Sequence, residues 1–356
     1  MSAYLAVIGE CLVDVVHSET SAPKAHVGGS PFNVAVGLSR LEHEVVFAGR
    51  RGDDEYGRMI ARSLRSQGIL PLLDADSSPT SVASATLDPT GQATYEFSID
   101  WTLPSAAELE EKYCALVEER QLRERLSREK SGTGAGSSEA VERGSNSLEL
   151  LHTGSIGAMM QPGAETVKGV LHRARESATI SYDPNYRPSI IPDRDEARAQ
   201  VEEMLALTDV VQASTDDIDL LYPERSHEDT MRAWLELGPA LITVTRGASG
   251  AMALARSGFA EQPAFPIEVA DTVGAGDSFM AATLSTLRSM GLLGAARRQE
   301  LHSLGLDQVK TVLRTAARAA AITSSRFGAQ PPTAAELREA LEADSTGGTA
   351  GTPNRV

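Results

Sequence analysis

The stretch Asp271-Thr272-Val273-Gly274-Ala275-Gly276-Asp277-Ser278-Phe279-Met280 sets two glycines and an aspartate at a spacing suited to phosphate chemistry. The apolar pattern Phe279, Ala282, Leu284 and Leu287 predicts a helix, and the run Pro266 to Ala270 reads as strand-like, so the glycines mark a strand-to-helix turn. The first turn of a helix carries unpaired backbone N–H groups and the positive end of the peptide dipole. Glycine lets a phosphate approach that backbone without a Cβ in the way. Asp277 falls inside this anion pocket, where a carboxylate is electrostatically unwelcome unless it has work to do, such as accepting a proton from an attacking hydroxyl. The same letters also describe a glycine-rich helix entry capped by an aspartate, and the stretch alone does not separate the two.

Other residues must be carried to that turn. Asp14 interrupts the apolar run Leu12 to Val16, which follows a strand over Tyr4 to Gly9. An ionised group there is costly without a partner, so it either lies on an exposed edge or binds something. Gly28-Gly29-Ser30-Pro31-Phe32-Asn33 opens a second glycine-rich helix start, with Ser30 suited to cap, Pro31 to the first helical position, and Val34, Leu38 and Leu41 at helical spacing. Asn33 in that first turn faces either what the glycine backbone faces or solvent.

The elements between these motifs alternate strand and helix. A strand over Glu44 to Gly49 and a helix over Glu55 to Ser66 precede two alternating runs, Thr80 to Leu87 and Ala93 to Ser98, around Asp88-Pro89-Thr90-Gly91-Gln92, a β-hairpin pattern. With the segment around Asp14 it reads as a small β lid over about 11–28 and 80–100. Residues 105–147 break the rhythm: Ala106 to Lys130 reads as a solvated helix laced with i,i+4 charge pairs and Ser131 to Ser138 as a flexible linker, so the whole is a surface insertion. Strands Leu148 to Thr153, Thr179 to Asp183, Asp209 to Ala213 and Leu241 to Val244 follow, with Ser214 capping a helix over Thr215 to Leu221. In an open parallel sheet ligands gather at the carboxyl ends of strands, where Asp183, Asn185, Thr245, Gly247 and the Gly274 to Asp277 turn all fall. Helices over Leu306 to Ser325 and Thr333 to Ala343 close a single α/β domain over 1–344, and the Gly/Thr-rich residues 345–356 read as a disordered tail.

Composition bounds the partners. The chain has 356 residues, 41% of them apolar, enough for a substantial core. A net charge of −16 argues against a nucleic-acid groove or an anionic membrane as the main partner, and any anionic substrate must meet local positive potential. Cys11 and Cys114 match no metal-ligand spacing and point to a reducing, cytoplasmic setting. The apolar start carries Glu10 and Asp14 without a basic flank, so it reads as a buried strand and not as a signal peptide or membrane span.

Three separated motifs, Gly28-Gly29-Ser30-Pro31-Phe32-Asn33-Val34-Ala35, Asp183-Pro184-Asn185-Tyr186-Arg187-Pro188 and Asp271 to Phe279, resemble in order those of the ribokinase-like (PfkB) carbohydrate kinases, most closely the bacterial fructokinases. The likeness spans nearly the whole chain apart from 105–147 and the tail. It implies a three-layer α/β/α ribokinase-like fold with a mostly parallel central sheet and a small β lid. It also implies transfer of the γ-phosphate of ATP, with Mg²⁺, to a hydroxyl of a small sugar, fructose first. By resemblance Asp277 is the general base, and the backbone of Gly274, Ala275 and Gly276 forms the anion hole. Asp14, Gly28, Gly29, Asn33, Asn185 and Arg187 face the sugar, while Ser214, Thr245, Gly247, Gly250, Gly276 and Gly328 face the nucleotide. The chain departs from the family at Ser214 and Asp217, where many members carry Asn and Glu in an Asn-x-x-Glu pattern tied to Mg²⁺. The shorter Asp217 implies action through metal-bound water. Asp271 is similar to the family's monovalent-cation loop, which would take K⁺, and the family implies a homodimer with paired lids. Two other readings stand beside this one: a kinase for 2-keto-3-deoxygluconate or another sugar or nucleoside, with Arg187 pairing a substrate carboxylate, and a catalytically silent sugar sensor on the same fold.

Overall fold

The computed structural model describes residues 4–18, 21–87, 93–130 and 148–347. Runs such as Tyr4–Ile8, Val45–Ala48 and Thr179–Asp183 are buried at every position, as parallel strands covered on both faces must be. In chain order the strands are β1 (Tyr4–Ile8), β2 (Leu12–Ser18), β3 (Ser21–Gly28), β4 (Val45–Ala48), β5 (Leu70–Pro71), β6 (Val82–Leu87) and β7 (Ala93–Ser98). They continue as β8 (Leu148–Gly154), β9 (Thr179–Asp183), β10 (Val210–Ser214), β11 (Leu241–Thr245), β12 (Ala251–Ala255) and β13 (Gly258–Gln262). Among the described residues nine of them form one sheet, ordered β13-β12-β11-β10-β9-β8-β1-β4-β5, parallel from β5 to β11 with β12 and β13 antiparallel at one edge.

Helices cover both faces of this sheet. Ser30–Arg40, Ala275–Ser289 and Leu306–Ser324 bury Phe32, Phe279, Leu284 and Leu313 on one face, while Gly163–Ala174, Arg194–Leu205 and His227–Glu236 bury Leu171, Val201 and Trp234 on the other. This is the three-layer α/β/α arrangement. The chain order reverses beside β1, with β4 and β5 on one side and β8 to β11 on the other, and such a reversal opens a crevice at the carboxyl ends of the strands.

The remaining strands, β3-β2-β6-β7, form a second, smaller sheet in which parallel pairing of β2 with β6 joins the two expected lid segments. Its root is fixed by Asp54, the N-cap of the helix Glu55–Ser66. That carboxylate accepts from Gly57 N at 2.7 Å, Thr80 N at 2.8 Å and Thr80 Oγ1 at 2.7 Å. The expected hairpin turn at 88–92, the expected linker at 131–138 with the rest of the stretch to 147, and residues 348–356 lie outside the described residues.

Three local expectations change. Pro266 to Ala270 is not a strand: prolines at 263 and 266 offer no N–H, Val269 is exposed, and Ala270 N and Asp271 N donate to Ser324 O at 2.9 and 3.3 Å. The Asp271 motif is therefore tied to the end of a helix and not to the sheet. The helix Ala106–Lys130 forms, but its first half is packed, burying Leu109, Tyr113 and Val117, and only its later Leu122 and Leu126 stand exposed. Finally, the last helix, Ala334–Gly347, continues past Ala343, with Ser345 Oγ donating to Leu341 O. No helix among the described residues is long and apolar enough to cross a membrane.

Candidate active site

The carboxyl ends of β1, β8, β9, β10 and β11 and the entrance of the helix Ala275–Ser289 line one open cleft, covered by Leu12, Asp14, Ala83 and Phe97 of the second sheet. From the expected sugar side Asp14, Gly29, Asn33, Asn185 and Arg187 line it. From the expected phosphate side come Ser214, Asp217, Thr245, Gly274, Gly276 and Asp277. Gly28, Ala275, Gly247, Gly250, Gly328 and Asp271 are not among the lining residues.

Two helix starts face each other across the floor of this cleft. Asp277 Oδ1 accepts from Ser30 Oγ at 2.6 Å and Oδ2 accepts from Asn33 Nδ2 at 2.8 Å. Ser30 does not cap its own helix. Gly29 takes the cap position at φ 108°, where a Cβ would stand 2.6 Å from the Glu10 carbonyl oxygen, and this frees the Ser30 hydroxyl for Asp277. Burial pushes the Asp277 carboxyl up to about 6, against the opposing pull of its two hydrogen bonds and the Arg187 charge.

The anion pocket is sharper than the glycine pattern implies. Gly274 is the left-handed N-cap at φ 75°, and a Cβ there would meet Ala329 Cβ at 2.5 Å, so the turn around Gly328 rests on the glycine itself. Ala275 N donates to Thr272 O at 3.2 Å and Ser278 N to Gly274 O at 2.9 Å. Among the described residues the N–H groups of Gly276 and Asp277 have no backbone acceptor, as the first turn of a helix leaves them, and unpaired donors of this kind can receive an anion.

The turn on the expected sugar side is held by hydrogen bonds in an unusual backbone conformation. Asn185 (φ 38°) and Ser155 (φ 56°) are both left-handed without being glycine, and Asn185 Nδ2 donates to Ser155 Oγ at 3.3 Å. Asp14 is drawn over Gly28, where a Cβ would stand 2.1 Å from its Oδ2, and burial raises its carboxyl, partly offset by His26. Asp183 is buried and held well above the usual carboxylate range by burial and by the charges of Asp217 and Asp277.

Two buried polar residues in this cleft escaped the sequence reading. Glu10 follows β1, is 2% exposed and accepts from Gly157 N at 2.8 Å, and burial pushes it up to about 7. Gln212 on β10 donates from Nε2 to Asp183 Oδ2 at 2.8 Å and to Gly276 O at 2.9 Å. Each breaks an apolar strand pattern, the same signal that singled out Asp14.

The expected cofactor residues divide. Asp217 closes a capping box with Ser214, accepting from Ser214 N at 2.8 Å, Ser214 Oγ at 2.6 Å and Tyr186 N at 2.7 Å, so its oxygens are engaged by three donors. Gly250 serves the reversal into β12, since a Cβ there would stand 2.1 Å from Gln262 O. Asp271 accepts from Val273 N at 3.1 Å and Gly328 N at 2.8 Å and ties two loops together. No cluster of three or more His, Cys, Asp or Glu suited to a metal is found among the described residues.

Residues 2–129 and 139–336 match the pfkB family carbohydrate kinase pattern. A fructokinase of Rhizobium leguminosarum bv. trifolii is 29% identical over 80% of this chain and 80% of its own, and fructokinase-1 of Zea mays is 30% identical over 94% and 96%. Among solved structures, the fructokinase of Xylella fastidiosa with bound ATP superposes with a TM-score of 0.77 at 23% identity, over 97% of this chain and 100% of that one. On this match, which spans most of its length, the chain belongs to the pfkB family of carbohydrate kinases, phosphotransferases with an alcohol group as acceptor.

Proposed function

We propose that the chain uses ATP and Mg²⁺ to phosphorylate the terminal hydroxyl of fructose, with Asp277 as general base. One observation carries the reading: Asp277 meets Ser30 and Asn33 at a helix entrance with unpaired N–H groups, in a cleft shared with Asp14. The fructokinase names of the relatives support the choice of sugar.

In this reading Asp14, Asn33 and Asn185, with the backbone of Gly29, present acceptors and mixed donor–acceptor pairs to a neutral polyol. Asp277 takes the hydroxyl proton as the new O–P bond forms and the bond from the γ-phosphorus to the bridging oxygen breaks, with ADP as the leaving group. A phosphoryl transition state is loose, so a weak base acting late suffices, and most of the rate comes from positioning and charge stabilisation. The Gly276 and Asp277 N–H groups supply that stabilisation on the phosphoryl oxygens, and Arg187 supplies a cation in a cleft whose other charged lining residues are acids. Thr245 and Ser214 border the nucleotide side. Mg²⁺, when bound, neutralises phosphate charge; Asp217 fits it through water, because its carboxylate already serves three donors. Asp271 serves two backbone donors and ties two loops together, and no step is derived through K⁺.

A panel of sugars with ADP release as readout tests the proposal, and turnover on fructose above the others is the expected result. The exposed Arg187 guanidinium in the cleft favours one alternative, a 2-keto acid sugar such as 2-keto-3-deoxygluconate, and faster turnover on it would overturn the sugar assignment. Sugar binding without any ADP release would mark a silent sensor. Association into a homodimer through the second sheet belongs to the same proposal and is read by sedimentation.

A further inference from the structure

Gln212 stands between the two sides of the cleft, and no step above uses it. It is 2% exposed, and its Nε2 reaches two acceptors, Asp183 Oδ2 and the Gly276 carbonyl. Because both partners accept, the NH₂ group must face them, which fixes the orientation of the amide. The Gly276 carbonyl and the Asp277 N–H belong to one planar trans peptide, in which C=O and N–H point in opposite directions. Holding that carbonyl from the sheet side therefore aims the Asp277 N–H away from the sheet, along the direction an anion approaches the helix entrance.

The second hydrogen of the same group acts on the sugar side. Asp183 Oδ1 accepts from Asn185 N at 3.0 Å, and Asn185 reaches Ser155 in turn. One amide thus joins a strand end 29 residues earlier to a helix turn 64 residues later. With the acceptor hydroxyl expected at the first and the phosphoryl group at the second, the amide spans the distance over which the new bond forms.

We propose that Gln212 is a positioning residue that sets the spacing between the Asn185 turn and the phosphate-binding helix entrance. The inference rests on the kinase reading above for which side holds which group. A side chain that only filled space would be replaceable by leucine, whereas leucine here removes the sheet-side donor from the Gly276 carbonyl and leaves Asp183 Oδ2 without its donor. Reacting groups displaced by about 1 Å lose up to about 10²-fold in rate without losing affinity.

The test compares Gln212→Leu and Gln212→Asn with the unmodified chain on whichever sugar that chain phosphorylates. Both variants should lower kcat by about 10-fold or more, with KM for sugar and ATP each within about threefold. Gln212→Asn, shorter by one methylene, keeps the polarity and serves if the leucine variant does not fold. Hydrogen exchange of the 275–280 backbone, measured by mass spectrometry without substrates, should be faster in both variants. A kcat within about twofold of the unmodified chain, a raised KM at unchanged kcat, or unaltered exchange would each overturn the proposal. The exchange result decides the point even if the unmodified chain turns over no sugar, so a failure of the kinase reading and a failure of this one are told apart.

Discussion

Asn33 and Asp277, 244 positions apart, meet through Nδ2 and Oδ2 at 2.8 Å. Their helices approach closely enough that a Cβ on Gly37 would stand 2.6 Å from Ala281 Cβ, so the meeting is built into the packing of two helices and not left to loops. The amide donates to the carboxylate, which leaves the remaining lone pairs of Asp277 directed into the cleft.

Replacing the base separates chemistry from binding. Asp277→Asn keeps size and polarity, so the protein should fold and hold ATP, while kcat falls by at least about 10²-fold for want of a proton acceptor. Steady-state kinetics beside nucleotide titration checks this, and unchanged turnover would refute the mechanism.

A general base at Asp277, as proposed, should also set a pH limb. With Asp277 pushed up to about 6, kcat/KM should fall as pH drops through that value, since only the ionised carboxylate accepts the proton. The Asn33 hydrogen bond favours the ionised form, so Asn33→Leu should move the limb to higher pH as well as lowering activity. A pH–rate profile of both proteins decides; a limb that stays put would mean that another group controls it.

Gly28 is kept small by Asp14. A Cβ at 28 would stand 2.1 Å from Asp14 Oδ2, the far end of a side chain that can swing away. Gly28→Ala should therefore cost little stability yet raise the sugar KM by about 10-fold, with the KM for ATP unchanged, because one charge-assisted hydrogen bond to substrate is lost. Equal changes in both constants would argue against Asp14 as a sugar ligand.

Glu10 ties stability to pH. The folded chain holds its proton up to about 7, while an unfolded Glu loses it near 4.5, so stability contributed at this site falls as pH rises between those values and is level above. Glu10→Gln keeps an acceptor for Gly157 N without the buried charge. The variant should match the parent in acid and exceed it by about 1–3 kcal/mol above about pH 7. Urea unfolding at the two pH extremes measures this, and a variant less stable at the alkaline end would show that ionised Glu10 is well compensated.

Much of the site could be read in the chain because its chemistry is local. A helix entrance needs only a few residues, so the Gly274 to Asp277 turn, the Gly29 start and the Ser214 cap all announced themselves. Contacts made through the sheet did not. Gln212 and Glu10 owe their neighbours to strand order, and nothing near them in sequence names Gly276 or Gly157. Ser30 had the letters of a cap, but its hydroxyl is spent on a residue 247 positions away. The run Pro266 to Ala270 looked strand-like, yet its letters cannot report that among the described residues it pairs with no strand and that its end is tied to Ser324. The helix Ala106–Lys130 looked wet because its charges outnumber its apolar stripe, and the burial of Val117 depends on the sheet edge that receives it.

Asp54 caps one helix and, with the same carboxylate, grips Thr80 where β6 is about to begin. The small sheet over the cleft is thus moored at its base, while among the described residues its strands share no ladder with the main sheet. If the small sheet is the lid of the proposed kinase, substrate would pass by a stiff four-stranded flap tilting about a pinned corner, with no strand having to unzip.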